Sequence, residues 1–220
     1  LGPPVPLPGR PTIGAENRFH TGCVIGDAPQ DLKYSGEPTR LIIGDRNLFR
    51  EHVTVHRSNT PDEDTRIGSE NFFMANSHVG HNSIIGNKVI LANGVLIAGH
   101  AMIGDGAFLA GNAVVHQFCG VGAMAMMQGC AGVSLDLPPF TIVRGINGMC
   151  GLNSIGLKRA GFSSEERSQL KKAYQAIFLS DDLLKDALEK ARAEFTGVLS
   201  EQLIDFVATS QRGTCSHTKR

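Results

Sequence analysis

The chain has 220 residues, 41% of them hydrophobic, with 21 basic and 21 acidic side chains. That is enough apolar material for a buried core, and zero net charge gives no electrostatic case for a nucleic-acid partner. No apolar run reaches the roughly 18 residues of a membrane-spanning helix, so no membrane insertion is expected. Five scattered cysteines (Cys23, Cys119, Cys130, Cys150, Cys215) fit neither a zinc site nor a disulfide framework and point to a reducing compartment.

The opening L-G-P-P-V-P-L-P-G-R has no basic n-region and no apolar h-region, so residues 1–12 read as a Pro/Gly-rich segment rather than a secretory signal. The chain begins at Leu1, and a missing true N-terminus is expected. From Ile13 an apolar residue recurs every six positions: Ile13, Phe19 and Ile25, then Ile43, Phe49 and Val55. From Ile67 the repeat runs unbroken through Phe73, Val79, Ile85, Leu91, Ile97, Ile103, Leu109, Val115, Val121 and Met127 to Val133. A period of six matches neither a helix nor a simple strand. It predicts a parallel β-helix over 13–150, in which each hexapeptide gives one short strand and a corner, the apolar residue points inward and a small neighbour permits the tight turn. Two segments break the phase and are expected as loops: 31–42, D-L-K-Y-S-G-E-P-T-R-L-I, and the polar 60–66, T-P-D-E-D-T-R.

After Pro138 and Pro139 the pattern fades. A capping box, S-S-E-E from Ser163, opens a helix with an apolar face of Leu170, Tyr174, Ile177 and Phe178, and 181–195 and 199–210 carry two further helical patterns. Residues 151–220 are therefore expected to form a small helical domain that caps the last coil and hides its edge.

On this frame His78, His81, His100 and His116 are expected to gather near one corner, being spaced close to multiples of an 18-residue coil. Such a cluster permits structural hydrogen bonding, metal ligation, or acid/base catalysis with substrate binding, and four imidazoles in register favour a functional role.

The motifs D-L-K-Y-S-G-E-P-T-R, T-V-H-R, H-V-G-H, L-I-A-G-H, V-V-H-Q-F-C and N-S-I-G-L-K-R-A-G-F, in this order, resemble the acyl-carrier-protein–UDP-N-acetylglucosamine O-acyltransferases that begin lipid A synthesis. The resemblance implies a left-handed β-helix and a homotrimer. It implies transfer of a 3-hydroxyacyl chain from acyl carrier protein to the 3-hydroxyl of UDP-N-acetylglucosamine, in the cytoplasm, with no metal and no cofactor beyond the carrier's phosphopantetheine. It makes His81 the general base and the Gly99 N–H the oxyanion donor. His78, His100, His116 and Gln117 match sugar and diphosphate contacts; Gln30, Asp31, Lys33 and His56 match positions reached from the first loop and an adjacent subunit. Asn153 and Arg159 match the nucleotide end, and Gly129 the place where the acyl groove ends. Asn82 stands where the family often has an aspartate behind the base, and Ile155 and Ala160 where it often has polar residues. The readings set beside this one are acylation of a 3-amino sugar, the related N-acyltransferase with its extra uridine-binding domain, a γ-class carbonic anhydrase, and a non-catalytic scaffold.

Overall fold

The computed structural model describes residues 11–218. From Thr12 to Val133 the backbone winds into a parallel β-helix with three flat faces. The first face stacks six strands from Thr12–Ile13 to Gly120–Val121, and the third stacks six from Val24–Asp27 to Gly132–Val133. The second begins at Arg18–Phe19, passes Met126–Met127 and continues into the C-terminal region.

The sequence dictates this winding residue by residue. The second residue of each short strand points inward, and the series from Ile67 to Val133 is at most 3% exposed throughout. Burying each such side chain contributes about 1.5–3 kcal/mol. Three residues further on the chain turns the corner, and from Glu70 to Cys130 every sixth residue has φ between 52° and 70°. Only Gly94 and Gly106 among these are glycines; Asn76, Asn82 and Asn112 suit a left-handed turn, whereas His100 and Phe118 accept it at some cost. The small residue that directly follows the inward one serves a different need. A Cβ on Gly104 would stand 2.5 Å from the Ala123 nitrogen of the next coil, so the glycine there answers close approach rather than φ. Inside the coil Phe19, Phe49 and Phe73 stack at 4.9 and 4.7 Å between ring centroids.

Both phase breaks are shorter than expected. Strand Arg40–Ile43 occupies the end of the 31–42 segment, and strand Asp64–Ile67 the end of 60–66. The two pair in parallel with Leu41 opposite Thr65, both buried, while Arg40 bonds Asp64 at 2.6 Å. The ends of both segments resembled loop because Arg40, Asp64 and Arg66 are charged, yet they sit on paired strands where the two arginines meet the Asp64 carboxylate.

The boundary at 150/151 is also crossed by a strand. Thr141–Arg144 extends the second face in parallel, Gly148–Leu152 turns back antiparallel on it, and Ser216–His217 adds to that strand. The last coil is thus closed by strands as well as by helices. Helix α1 (Ser154–Arg159), not anticipated from the sequence, precedes α2 (Ser164–Phe178), α3 (Leu184–Glu194) and α4 (Val198–Thr209). The Ser163–Glu166 capping box is formed, and α2 buries Leu170, Ala173, Tyr174 and Ile177. No helix among the described residues is long and apolar enough to cross a membrane.

Candidate functional site

Outward residues of the third face form a ladder in register: Thr54, His78, Leu96, Val114 and Gly132. The ladder passes from polar to apolar along the coil axis. Over it lies an open cleft of about 800 Å³, lined at its polar end by Gln30, His56, His78 and His81 and at its apolar end by Val114, Gly132 and Ile146. Gly99, His116 and Gln117 line it between. From the Leu96 coil to the Gly132 coil the apolar stretch runs about 10 Å, two interstrand spacings.

His81 stands where the third face turns toward the first. Its Nδ1 lies 2.9 Å from Asn82 Oδ1. That amide has one orientation. Oδ1 also accepts the Asn59 N–H at 3.0 Å, and Nδ2 donates to Glu63 Oε2 at 2.7 Å; the flipped amide would set an NH2 group against a backbone donor. An oxygen facing Nδ1 requires that Nδ1 carry the proton, which leaves the Nε2 lone pair free to accept one. Asn82 is 6% exposed, its N–H donates to Thr65 Oγ1, and its φ of 59° places it on the left-handed corner. Gly99 sits against the free edge of the imidazole: a Cβ there would lie 2.8 Å from both Nε2 and Cε1. Among the described residues the Gly99 N–H donates to no acceptor, so it is available to a developing oxyanion.

Burial disfavours the charged form of three of the surrounding imidazoles, His78, His56 and His100. Burial, then the nearby His56 and His81, push His78 from 6.5 down to about 4, and its Nδ1 shares a 2.7 Å hydrogen bond with Thr54 Oγ1. Burial likewise lowers His56 and His100; for His100 the neighbouring His81 adds to the effect while Glu63 and Asp31 oppose it. His100 packs edge-on against His81 with centroids 5.2 Å apart and stacks on Phe118. His116 Nδ1 lies 3.1 Å from Gln117 O, a bond that only a protonated Nδ1 can donate, leaving its Nε2 as an acceptor. Among the described residues His56 Nδ1 and Asn59 Oδ1 are buried without a protein partner, and His56, which lines the cleft, can offer that nitrogen to a ligand.

The structure brings most of the candidate residues together, with exceptions. His78 lies on the flat of the face, two positions from the bend, while His81 and His100 occupy the corner itself. His100 reaches the cleft only through His81. Asp31 accepts the Lys33 N–H at 2.9 Å and the Asn59 side-chain N–H at 2.7 Å, contacts that hold its carboxyl below the usual range, and the Lys33 side chain is exposed. Asn153 caps α1 through the Gly156 N–H and donates to Met124 O, which places it on a corner remote from this cleft, and Arg159 is exposed in the last turn of the same helix. Gly129 is exposed at the corner before the third face and does not line the cleft; Ile146, whose side chain covers Gly132, stands at the end of the apolar ladder. The sequence reading missed Glu63 and Asn59. Glu63 belongs to the second phase break and Asn59 immediately precedes it, and nothing in the local pattern signals that this segment folds back onto Asn82.

An imidazole with a fixed tautomer, a free backbone N–H beside it and an apolar groove beyond fit a hexapeptide-repeat acyltransferase. The "bacterial transferase hexapeptide" family model matches residues 64–99, and that of UDP N-acetylglucosamine O-acyltransferase, domain 2, matches residues 136–215. Acyl-[acyl-carrier-protein]–UDP-N-acetylglucosamine O-acyltransferases of an Anaeromyxobacter species and of Myxococcus xanthus are 44% and 45% identical; the first match covers 94% of this chain and 82% of the relative, the second 93% and 81%. The UDP-N-acetylglucosamine acyltransferase of Bacteroides fragilis superimposes with a TM-score of 0.88 at 40% identity, covering 93% of this chain and 81% of that one. The enzyme from Arabidopsis gives 0.90 at 35% identity, covering 96% and 77%. The chain belongs to the acyl-[acyl-carrier-protein]–UDP-N-acetylglucosamine O-acyltransferase family, and its coil is the left-handed parallel β-helix followed by a small helical domain.

Proposed function

We propose that this protein transfers a 3-hydroxyacyl chain from acyl carrier protein to the 3-hydroxyl of UDP-N-acetylglucosamine, the first step of lipid A synthesis. The observation that carries the reading is the His81–Gly99 pair, an acceptor nitrogen and an unpaired N–H side by side at the head of an apolar groove. His81 Nε2 removes the proton from the sugar 3-hydroxyl as that oxygen attacks the thioester carbonyl. The tetrahedral oxyanion accepts the Gly99 N–H. Collapse breaks the carbon–sulfur bond, and the imidazolium returns the proton to the departing phosphopantetheine thiolate, giving the O-acyl sugar nucleotide and the carrier thiol. The acyl chain extends over Leu96, Val114 and Gly132, while His56, His78, His116 and Gln117 hold the sugar and diphosphate. No cofactor is needed beyond the carrier's own thiol arm, and the reaction belongs where acyl carrier protein is, in the cytoplasm.

The working unit in this reading is a homotrimer. The cleft is open on its outer side, Leu96 and Val114 stay 48% and 40% exposed, and Asn153 and Arg159 stand on another corner. A second copy would supply the missing wall and the nucleotide contacts. His81→Ala should lose transfer by about 10²–10⁴-fold, the usual share of a general base. Coexpressed His81→Ala and Arg159→Ala chains should regain part of the activity that each lacks alone. A His81→Ala protein with normal turnover would refute the base, and a fully active monomer in light scattering would refute the trimer.

A further inference from the structure

The segment between strands Thr54–His56 and Asp64–Ile67 is held closely enough to place a functional group. The Ser58 N–H donates to Arg40 O, Thr60 N–H donates to Ser58 Oγ, and the adjoining Asp64 is 8% exposed and ion-paired with Arg40. Glu63 therefore leaves a fixed point of the backbone. Its Oε2 accepts the Asn82 Nδ2–H at 2.7 Å and lies 3.5 Å from His100 Nδ1, so one carboxylate oxygen meets both neighbours of the His81 ring.

We propose that Glu63 is a positioning residue for the His81 base: it locks the Asn82 amide with Oδ1 toward the His81 Nδ1–H and sets a negative charge beside the His81–His100 ring pair. The proposal rests on the reading of His81 as the base. Asn82 is neutral and fixes the tautomer but adds no charge to offset the imidazolium formed when the sugar proton is taken. Glu63 adds that charge one side chain further away. Its side chain is 59% exposed, so water screens the charge and the orienting effect carries most of its influence. The other titratable groups that face His81 are His100 from the next coil, His78 and His56 from the third face, and Asp31 from the first loop.

Four variants separate orientation from charge. Glu63→Gln keeps an oxygen for the Asn82 Nδ2–H and removes only the charge; Glu63→Ala removes both. With carrier-bound 3-hydroxyacyl donor and UDP-N-acetylglucosamine, we expect Glu63→Gln to lower kcat about threefold and Glu63→Ala about tenfold, a fraction of a full general-base effect, with KM for the sugar nucleotide nearly unchanged. A carboxylate favours the protonated imidazole, so its loss should move the acid limb of the kcat profile to lower pH. Asn82→Asp should reveal the coupling by a change of sign. In the wild-type background it would set two carboxylates in the contact that Asn82 and Glu63 now share, and the enzyme should slow. In the Glu63→Gln background the glutamine amide can donate to the new carboxylate, and the rate should rise above that of Glu63→Gln alone. Wild-type kcat and pH profile in both Glu63 variants, with His81→Ala inactive and all variants melting like the wild type, would overturn the proposal and leave the base assignment standing. An active His81→Ala would overturn both.

Discussion

Gly99→Ala is a small change that should disable the reaction without unfolding the coil. Gly99 is not among the positive-φ glycines, so its backbone accepts alanine. The added Cβ would nevertheless stand 2.8 Å from His81 Nε2 and Cε1 and 3.2 Å from His81 O. The first two contacts are closer than carbon tolerates, so the imidazole must rotate away from the sugar hydroxyl, while the oxygen contact needs only a slight shift. Relieving such overpacking costs about 1–3 kcal/mol of stability, small beside the burial of twelve inward side chains between Ile67 and Val133. The kinetic loss is larger. Misplacing the base forfeits about 10²–10⁴-fold, or roughly 2.7–5.4 kcal/mol of transition-state stabilisation at 1.36 kcal/mol per decade. Transfer from carrier-bound 3-hydroxyacyl donor, followed by mass spectrometry of the acylated sugar nucleotide, reads kcat directly. Adding Gly99→Ala to His81→Ala should cost much less than it does alone, because the methyl group acts mainly through the imidazole. A Gly99→Ala enzyme turning over within threefold of wild type would show that the reacting centre lies elsewhere on the cleft.

Two further expectations follow from the same geometry. Burial makes His78 harder to protonate in the folded chain than in the unfolded one, with a folded value of about 4 against 6.5, and His56 and His100 shift the same way. The contribution of His78 is therefore fully present above pH 6.5 and is lost as pH falls from there through about 4, so the urea midpoint should drop across that window and drop less in His78→Gln; identical slopes in the two proteins would contradict it. At Gly129 an added Cβ would meet only Gly111 O at 3.6 Å, so Gly129→Met should fold normally. If a second copy brings this corner to the acyl groove, that variant should favour shorter chains, each methylene denied burial costing about 0.8 kcal/mol, close to fourfold. An unchanged preference in competition assays would move the length limit to Ile146.

The fold was legible because a β-helix writes its period into the chain. Inward positions recur every six residues whatever the corners carry, and one slip would turn an apolar residue outward, so the register could be read from Ile67 to Val133 without any knowledge of pairing. The regions that left this period were read less well, for a consistent reason. Asp64, Thr65 and Arg66 are strand residues whose polar character reflects pairing with Arg40 and Asn82, partners at a distance in sequence that no local pattern announces. The strands Gly148–Leu152 and Ser216–His217 pair with each other across the whole helical domain.

The site divides along the same line. On the coil itself the period picked out His78, His81, His100 and His116, because a position repeats every 18 residues, although it set all four near one corner; Gly99 and Gln117 were marked only by the family motifs around them. Residues that tune them come from excursions. The orientation of the Asn82 amide depends on the Asn59 N–H and on Glu63, 23 and 19 residues upstream, and neither separation is a multiple of six. A regular scaffold thus makes the positions of reacting groups predictable and their electrostatic setting unpredictable, since the setting is built by the segments that escape the repeat. With His81 as the proposed base, the coil would keep it, the Gly99 N–H and the groove in fixed relation while changes in a short loop adjusted the charge behind it. Substitutions at Glu63 should therefore alter rate and pH dependence in a protein whose core, from Phe49 to Val133, is left untouched.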